Sequence, residues 1–144
     1  MISLTEQLAD SAFDGDLAAV ESLLSQGADI DGQGRVWTPL HAAIENGQLE
    51  IARHLIAAGS HLEVISGEMT PLAHAVDVLV DGSMQQGKPI EETSMAMIDL
   101  LAAAGAKLDP GIEVAREYGD AWVESYLSRK KDHGNSAENL ASPQ

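Results

Sequence analysis

The chain has 144 residues, 44% of them hydrophobic, with 23 acidic against 8 basic side chains, a formal charge of −15 and no cysteine. That suits one domain of ordinary size, and with one Phe, two Tyr and two Trp its core must be aliphatic. The counts exclude disulfides, thiol catalysis and cysteine-ligated metal, and argue against a phosphate-backbone binder, which needs stripes of Lys and Arg.

The predicted elements repeat in chain order. The opening residues MISLTEQLADSAFDGD lack the basic flank and apolar run of a secretion signal. No stretch approaches the ~18 uninterrupted apolar residues of a membrane helix, so no membrane association and a cytoplasmic location are expected. The first unit, residues 5–31, has a degenerate start at Glu6-Gln7-Leu8-Ala9, followed by GDLAAVESLLSQGADID. The second, residues 32–63, carries a finger, then Thr38-Pro39-Leu40-His41, and two helices separated at Gly47 and stopped at Gly59. Threonine before proline caps a helix whose first turn tolerates the missing N–H, and glycine supplies the left-handed stop. Alanine dominates the expected helix contacts (Ala42, Ala43, Ala52, Ala57, Ala58), which lets backbones approach closely without large rings.

The third unit, residues 64–109, restarts at Thr70-Pro71-Leu72-Ala73, 32 positions after Thr38, and ends at Gly105. Thr70 to Gly105 spans 35 positions against 21 from Thr38 to Gly59, an excess of 14 centred on 78–89, VLVDGSMQQGKP. Val76, Leu79 and Val80 predict that the first helix runs on by a turn before Asp81-Gly82. Ser83–Lys88 is then a polar, glycine-bearing loop. Pro89, with Glu91 and Glu92, restarts a helix with acids at its positive end. A tolerated surface insertion is one reading, since long loops cost little closure entropy, and a partner-contacting loop is the other. Residues 109–128 read as a C-terminal cap with Trp122 and Tyr126 sealing the last helix, and 129–144 as a flexible tail without apolar periodicity.

These motifs, above all TPLHAAIENGQLEIARHLIAAG, resemble the ankyrin repeat over roughly residues 5–128. The resemblance implies an all-α solenoid of stacked helix-turn-helix units with short β-hairpin-like fingers. It also implies that work is done by binding another protein at the concave surface of finger tips and first helices. On that surface it places Arg35, Trp37, Glu45, Asn46, Glu68, Met69 and Asp77 as candidate partner-binding residues. Thr38, Pro39, His41, Gly47, Gly59, Thr70, Pro71 and Gly105 are structural by the same resemblance, His41 through hydrogen bonds at the helix–loop corner. Trp37 and Met69 are equivalent positions. Trp with Arg is a pairing enriched at binding hot spots, but a Trp packed locally across its finger fits equally well.

No catalytic or metal pattern competes with this. His41, His54, His61, His74 and His133 lack the spacing of a zinc site, and neither a nucleophile elbow nor a phosphate-cradling glycine loop is present. An enzyme, a cofactor and a metal are therefore not expected. The acidity lies in the repeat body: residues 1–128 hold 21 acids and 5 bases. Solvated faces are one explanation, and a negative surface that steers a basic partner is the other. The function read from the sequence is a protein-binding module, monomeric alone, acting as an acidic inhibitor of a basic partner in the manner of immunity or antitoxin proteins. An adaptor with a second contact through the 78–89 loop is the alternative, ahead of an enzyme or metal-dependent regulator.

Overall fold

The computed structural model describes the backbone of residues 2–141 and the side chains of residues 2–133. Its α-helices are α1 (Leu4–Asp14), α2 (Leu17–Ser25), α3 (Pro39–Glu45), α4 (Leu49–Ala57), α5 (Pro71–Gln86), α6 (Ala96–Ala103), α7 (Asp109–Tyr118) and α8 (Ala121–Ala141). A 3₁₀ turn, Glu92–Met95, precedes α6. Successive helices pair as α1/α2, α3/α4, α5/α6 and α7/α8, and the first members of the pairs pack in a row, α1 on α3, α3 on α5, α5 on α7. No helix among the described residues is long and apolar enough to cross a membrane.

The repeat marks carry the local structure. The Thr38 and Thr70 hydroxyls accept from the backbone N–H groups of His41 (3.3 Å) and Ala73 (3.2 Å), with Pro39 and Pro71 in the first helical turn. Gly47, Gly59 and Gly105 take left-handed φ values of 64°, 106° and 107° at the ends of α3, α4 and α6. Leu8, Leu40 and Leu72 recur every 32 residues, and all are buried at the interface of the first helices. Ala42, Ala43 and Ala52 line the same core, whereas Ala57 and Ala58, expected to join them, are exposed because they close the last turn of α4. At Gly111, buried in α7, a Cβ would strike the side chain of Leu72 and stand 3.1 Å from Val76 Cγ2. The absent side chain sets how closely α7 approaches α5.

Further differences from the sequence reading concern the ends and the insertion. Helix α1 starts at Leu4, capped by Ser3, whose hydroxyl accepts from Glu6 N at 3.1 Å, one turn before the expected degenerate start. The Ser83–Lys88 loop is largely helix. Helix α5 runs through Asp81-Gly82 to Gln86 and stops at Gly87, whose φ of 64° provides the left-handed end. An internal glycine costs only about 1 kcal/mol relative to alanine, and buried Val80 and the Gln85–Asp81 hydrogen bond (2.5 Å) carry the helix past it. Pro89 does not restart a helix. Glu91 does, through a reciprocal capping box with Ser94 on the 3₁₀ turn.

At the C-terminus, Val123 and Leu127 are fully buried and seal α8, while Trp122 is 38% exposed and stacks on Tyr126 at 5.4 Å. The tail expected from 129 begins inside α8, which continues to Ala141. Lys130 pairs with Asp99 (3.4 Å) and Lys131 with Asp109 (2.6 Å), so the helix stays tied to the body beyond residue 128. Residues 142–144 of that expected tail lie outside the described residues.

Candidate functional site

The fingers are held to each other by the residues that shape them. In the second, Ser66 and Met69 exchange both backbone hydrogen bonds (3.0 and 3.1 Å), and Gly67 and Glu68 between them have φ of 57° and 67°. Two successive positive φ values make a two-residue hairpin turn of the primed type. Glu68 occupies a conformation that costs a residue other than glycine roughly 1–2 kcal/mol. In the first finger, Gly34 N donates to Trp37 O (2.9 Å), and Gln33 joins the two fingers by accepting from Ser66 Oγ (3.0 Å). Along the row, Asp31 accepts from His61 N (2.8 Å) and Glu63 from Lys107 N (3.2 Å). Equivalent acids of successive units thus bind the backbone of the next.

Trp37 is half-buried and stacks on the fully buried His74 ring (4.4 Å between centroids), with His41 behind it, 5.3 Å from His74. A Cβ on Gly67 would sit 2.5 Å from the Trp37 ring, so the second finger closes against it. Both His41 ring nitrogens are engaged: Nδ1 with Thr38 Oγ1 (2.6 Å) and Nε2 with the Met69 carbonyl (2.9 Å). The carbonyl can only accept, so Nε2 carries the proton and Nδ1 accepts from the hydroxyl. Burial, joined by the proximity of His74 and opposed by the Met69 bond, lowers the His41 pKa to about 4. His74 Nε2 meets Glu45 Oε2 at 2.5 Å.

Two depressions lie beside the fingers. The larger, about 680 Å³, lies between the second finger, α5 and α7. Ile65 and Met69 of the finger and Val114 and Tyr118 of α7 give it apolar surface, and its charged groups are Glu68, Asp77, Glu113 and Glu117, with no Lys or Arg in its lining. The Tyr118 hydroxyl donates to Asp77 (2.7 Å). That bond, with burial and the nearby negative charge adding to it, raises the tyrosine pKa to about 12. The smaller depression, about 350 Å³, is apolar in character and lies between α1 and the first finger, lined by Phe13, Val36 and Trp37 beside the Arg35–Asp10 ion pair (2.8 Å).

The candidate binding residues therefore separate. Glu68, Met69 and Asp77 meet in the acidic groove, and Arg35 and Trp37 flank the apolar notch. Glu45 and Asn46 join neither: Glu45 bonds His74, and Asn46 Nδ2 donates to the Phe13 carbonyl (2.8 Å). The α7 wall of the groove, Glu113, Val114, Glu117 and Tyr118, went unnoticed in the sequence reading. The signal was there, since Glu113 and Glu117 stand i, i+4 on the first helix of the fourth unit.

Comparison with known proteins places this geometry. A family model described as ankyrin repeats, in three copies, matches residues 8–81. Protein phosphatase 1 regulatory subunit 27 of Homo sapiens is 41% identical over 54 residues, 37% of this chain and 35% of the relative. The protein of the same name from Mus musculus matches to the same extent. The chain thus spans about a third of the length of the curated relatives it matches.

Proposed function

The chain belongs to the ankyrin-repeat family, a family of protein–protein interaction modules, and from that premise we propose that it is an acidic inhibitor of a basic protein partner. The observation that carries the reading is the acidic groove on the concave side, where four carboxylates face a cleft without a lining base. A low-dielectric cleft lined by one sign of charge concentrates its field and speeds the approach of the opposite sign. The regulatory role in the name of the phosphatase relatives agrees with a module that acts on another protein. Acting alone as a monomer, the chain occludes its partner by covering a basic functional surface, as immunity and antitoxin proteins do.

The test is to capture the partner from the native host at low and then high ionic strength, purify it, and titrate its own activity with this chain. The expected result is a basic protein, released by salt, whose activity falls to zero near one equivalent. A neutral or acidic partner, or one that stays fully active when saturated, overturns the inhibitor reading.

The adaptor reading also has an observation in its favour. A depression of about 320 Å³ lies between the distal half of α5 and residues 88–94, and Met84 of the same helix is 66% exposed. A second protein bound there survives substitution of the concave carboxylates, whereas a partner of the concave face does not.

A further inference from the structure

The total acidity conceals a division of labour. Asp31 and Glu63 bind the backbone of the following unit, Asp10 pairs with Arg35, Glu45 bonds His74, and Asp99 and Asp109 hold the lysines of α8. Each of these carboxylates is occupied in holding the helices and fingers to one another. Glu68, Glu113 and Glu117 are exposed and make no ion pair or side-chain hydrogen bond among the described residues, and all three line one groove with Asp77. Arg116, between the two glutamates in sequence, turns to α8 and pairs with Glu124 (3.0 Å). The groove keeps its negative charge because the neighbouring base is held elsewhere.

Its uncharged surface narrows the ligand further. Ile65 is 60% exposed beside the half-buried Met69 and Val114, an apolar strip between acidic walls. A bare ammonium or metal ion has no use for that strip. A long aliphatic stem carrying a cationic head does. Tyr118 adds an aromatic ring, and by donating to one Asp77 oxygen it fixes that carboxylate while leaving the other oxygen open. Planar guanidinium groups pair with carboxylates through two parallel hydrogen bonds and stack on aromatic faces, which an ammonium does less well.

We propose that the α5–α7 groove takes an extended, arginine-bearing segment of the partner protein. The arginine stems lie on Ile65, Met69 and Val114, and their guanidinium groups bridge to Glu113 and Glu117 on one wall and Asp77 and Glu68 on the other. This rests on the basic-partner reading and adds to it the segment's chemistry and its location.

The experiment uses the full chain and three fluorescent twelve-residue peptides in which four arginines, four lysines or four glutamates alternate with small apolar residues. Anisotropy titrations are run at about 50 and 300 mM salt with the native chain, with the Glu113→Gln/Glu117→Gln variant, and with Glu21→Gln/Glu50→Gln as the control on α2 and α4. Neutral, isosteric changes at exposed positions leave the melting temperature within about 2 °C, which confirms that every protein compared is folded. The expected result is arginine-peptide binding that weakens at least tenfold with salt and at least fivefold in the groove variant, with the control within twofold and the lysine peptide several-fold weaker. Equal losses in groove and control variants overturn the groove and leave the basic-partner reading standing. Equal binding of lysine and arginine peptides overturns the guanidinium assignment. Absence of binding by both cationic peptides, with a basic partner captured and inhibited, overturns the linear-segment proposal alone. The same absence without such a partner overturns both.

Discussion

Replacing Trp37 by alanine separates packing from contact on the concave side. The ring stacks on His74 at 4.4 Å and covers Gly67, so truncation uncovers a fully buried histidine and loosens the second finger. Truncating a fully buried Trp costs about 3–5 kcal/mol, and half-burial brings the expectation to about 2 kcal/mol. At about 2.1 cal/mol/K per residue, 144 residues carry an unfolding entropy of about 0.3 kcal/mol/K, so the midpoint falls by about 7 °C. Thermal melts followed by circular dichroism, checked against urea midpoints, measure it. Trp37→Phe, which keeps a ring over His74, recovers at least half of the loss. A Trp37→Ala protein that melts within 2 °C of the native chain refutes the packing argument and leaves Trp37 as a contact residue only.

Three further outcomes follow from particular residues. His41, with its pKa lowered to about 4 from 6.5, contributes stability that is complete above pH 6.5 and is lost as pH falls toward 4. The loss at pH 5 is on the order of 2 kcal/mol, and a urea midpoint unchanged between pH 7.5 and 5 contradicts it. Glu68→Gly relieves the left-handed strain at the second finger and raises stability by about 0.5–1 kcal/mol in urea titration, while weakening the arginine peptide several-fold. Gly111→Ala drives a methyl group into Leu72 and toward Val76 and costs about 1–3 kcal/mol from overpacking. Because it shifts the α7 wall, it also weakens the peptide, and a variant as stable and as tight-binding as the native chain argues against the close α5–α7 approach.

Much of the fold was legible because the marks are local. Threonine before proline, glycine after the repeat helices and leucine every 32 residues act within a turn or between equivalent positions, so the sequence shows them directly. The insertion misled because Asp81-Gly82 reads as a stop. Its actual fate was decided by the burial of Val80 and by the better left-handed terminus available at Gly87. The third unit carries its histidine at His74, one position later than His41 in the preceding motif. That displacement signalled a changed contact, but its partners Trp37 and Glu45 are 37 and 29 residues away.

The site was legible as a total and illegible as a distribution. Charge counts cannot separate Glu63, which binds the backbone of Lys107, from Glu68, which faces the groove five residues later. Nor can they show that Arg35, two residues before Trp37, is paired with Asp10 from α1. Those assignments depend on packing between units. The repeat register named Glu68, Met69 and Asp77 in advance, and the i, i+4 pair on α7 joins them once the last unit is treated as a repeat with its own first helix rather than as a lid.

The most direct test of the account is a titration of the isotopically labelled full chain with the arginine-bearing peptide, followed through backbone amide chemical shifts. Saturable shifts concentrated at residues 65–77 and 110–118, fading as salt is raised, are expected. Shifts confined to α2 and α4, or to residues 83–94, contradict it.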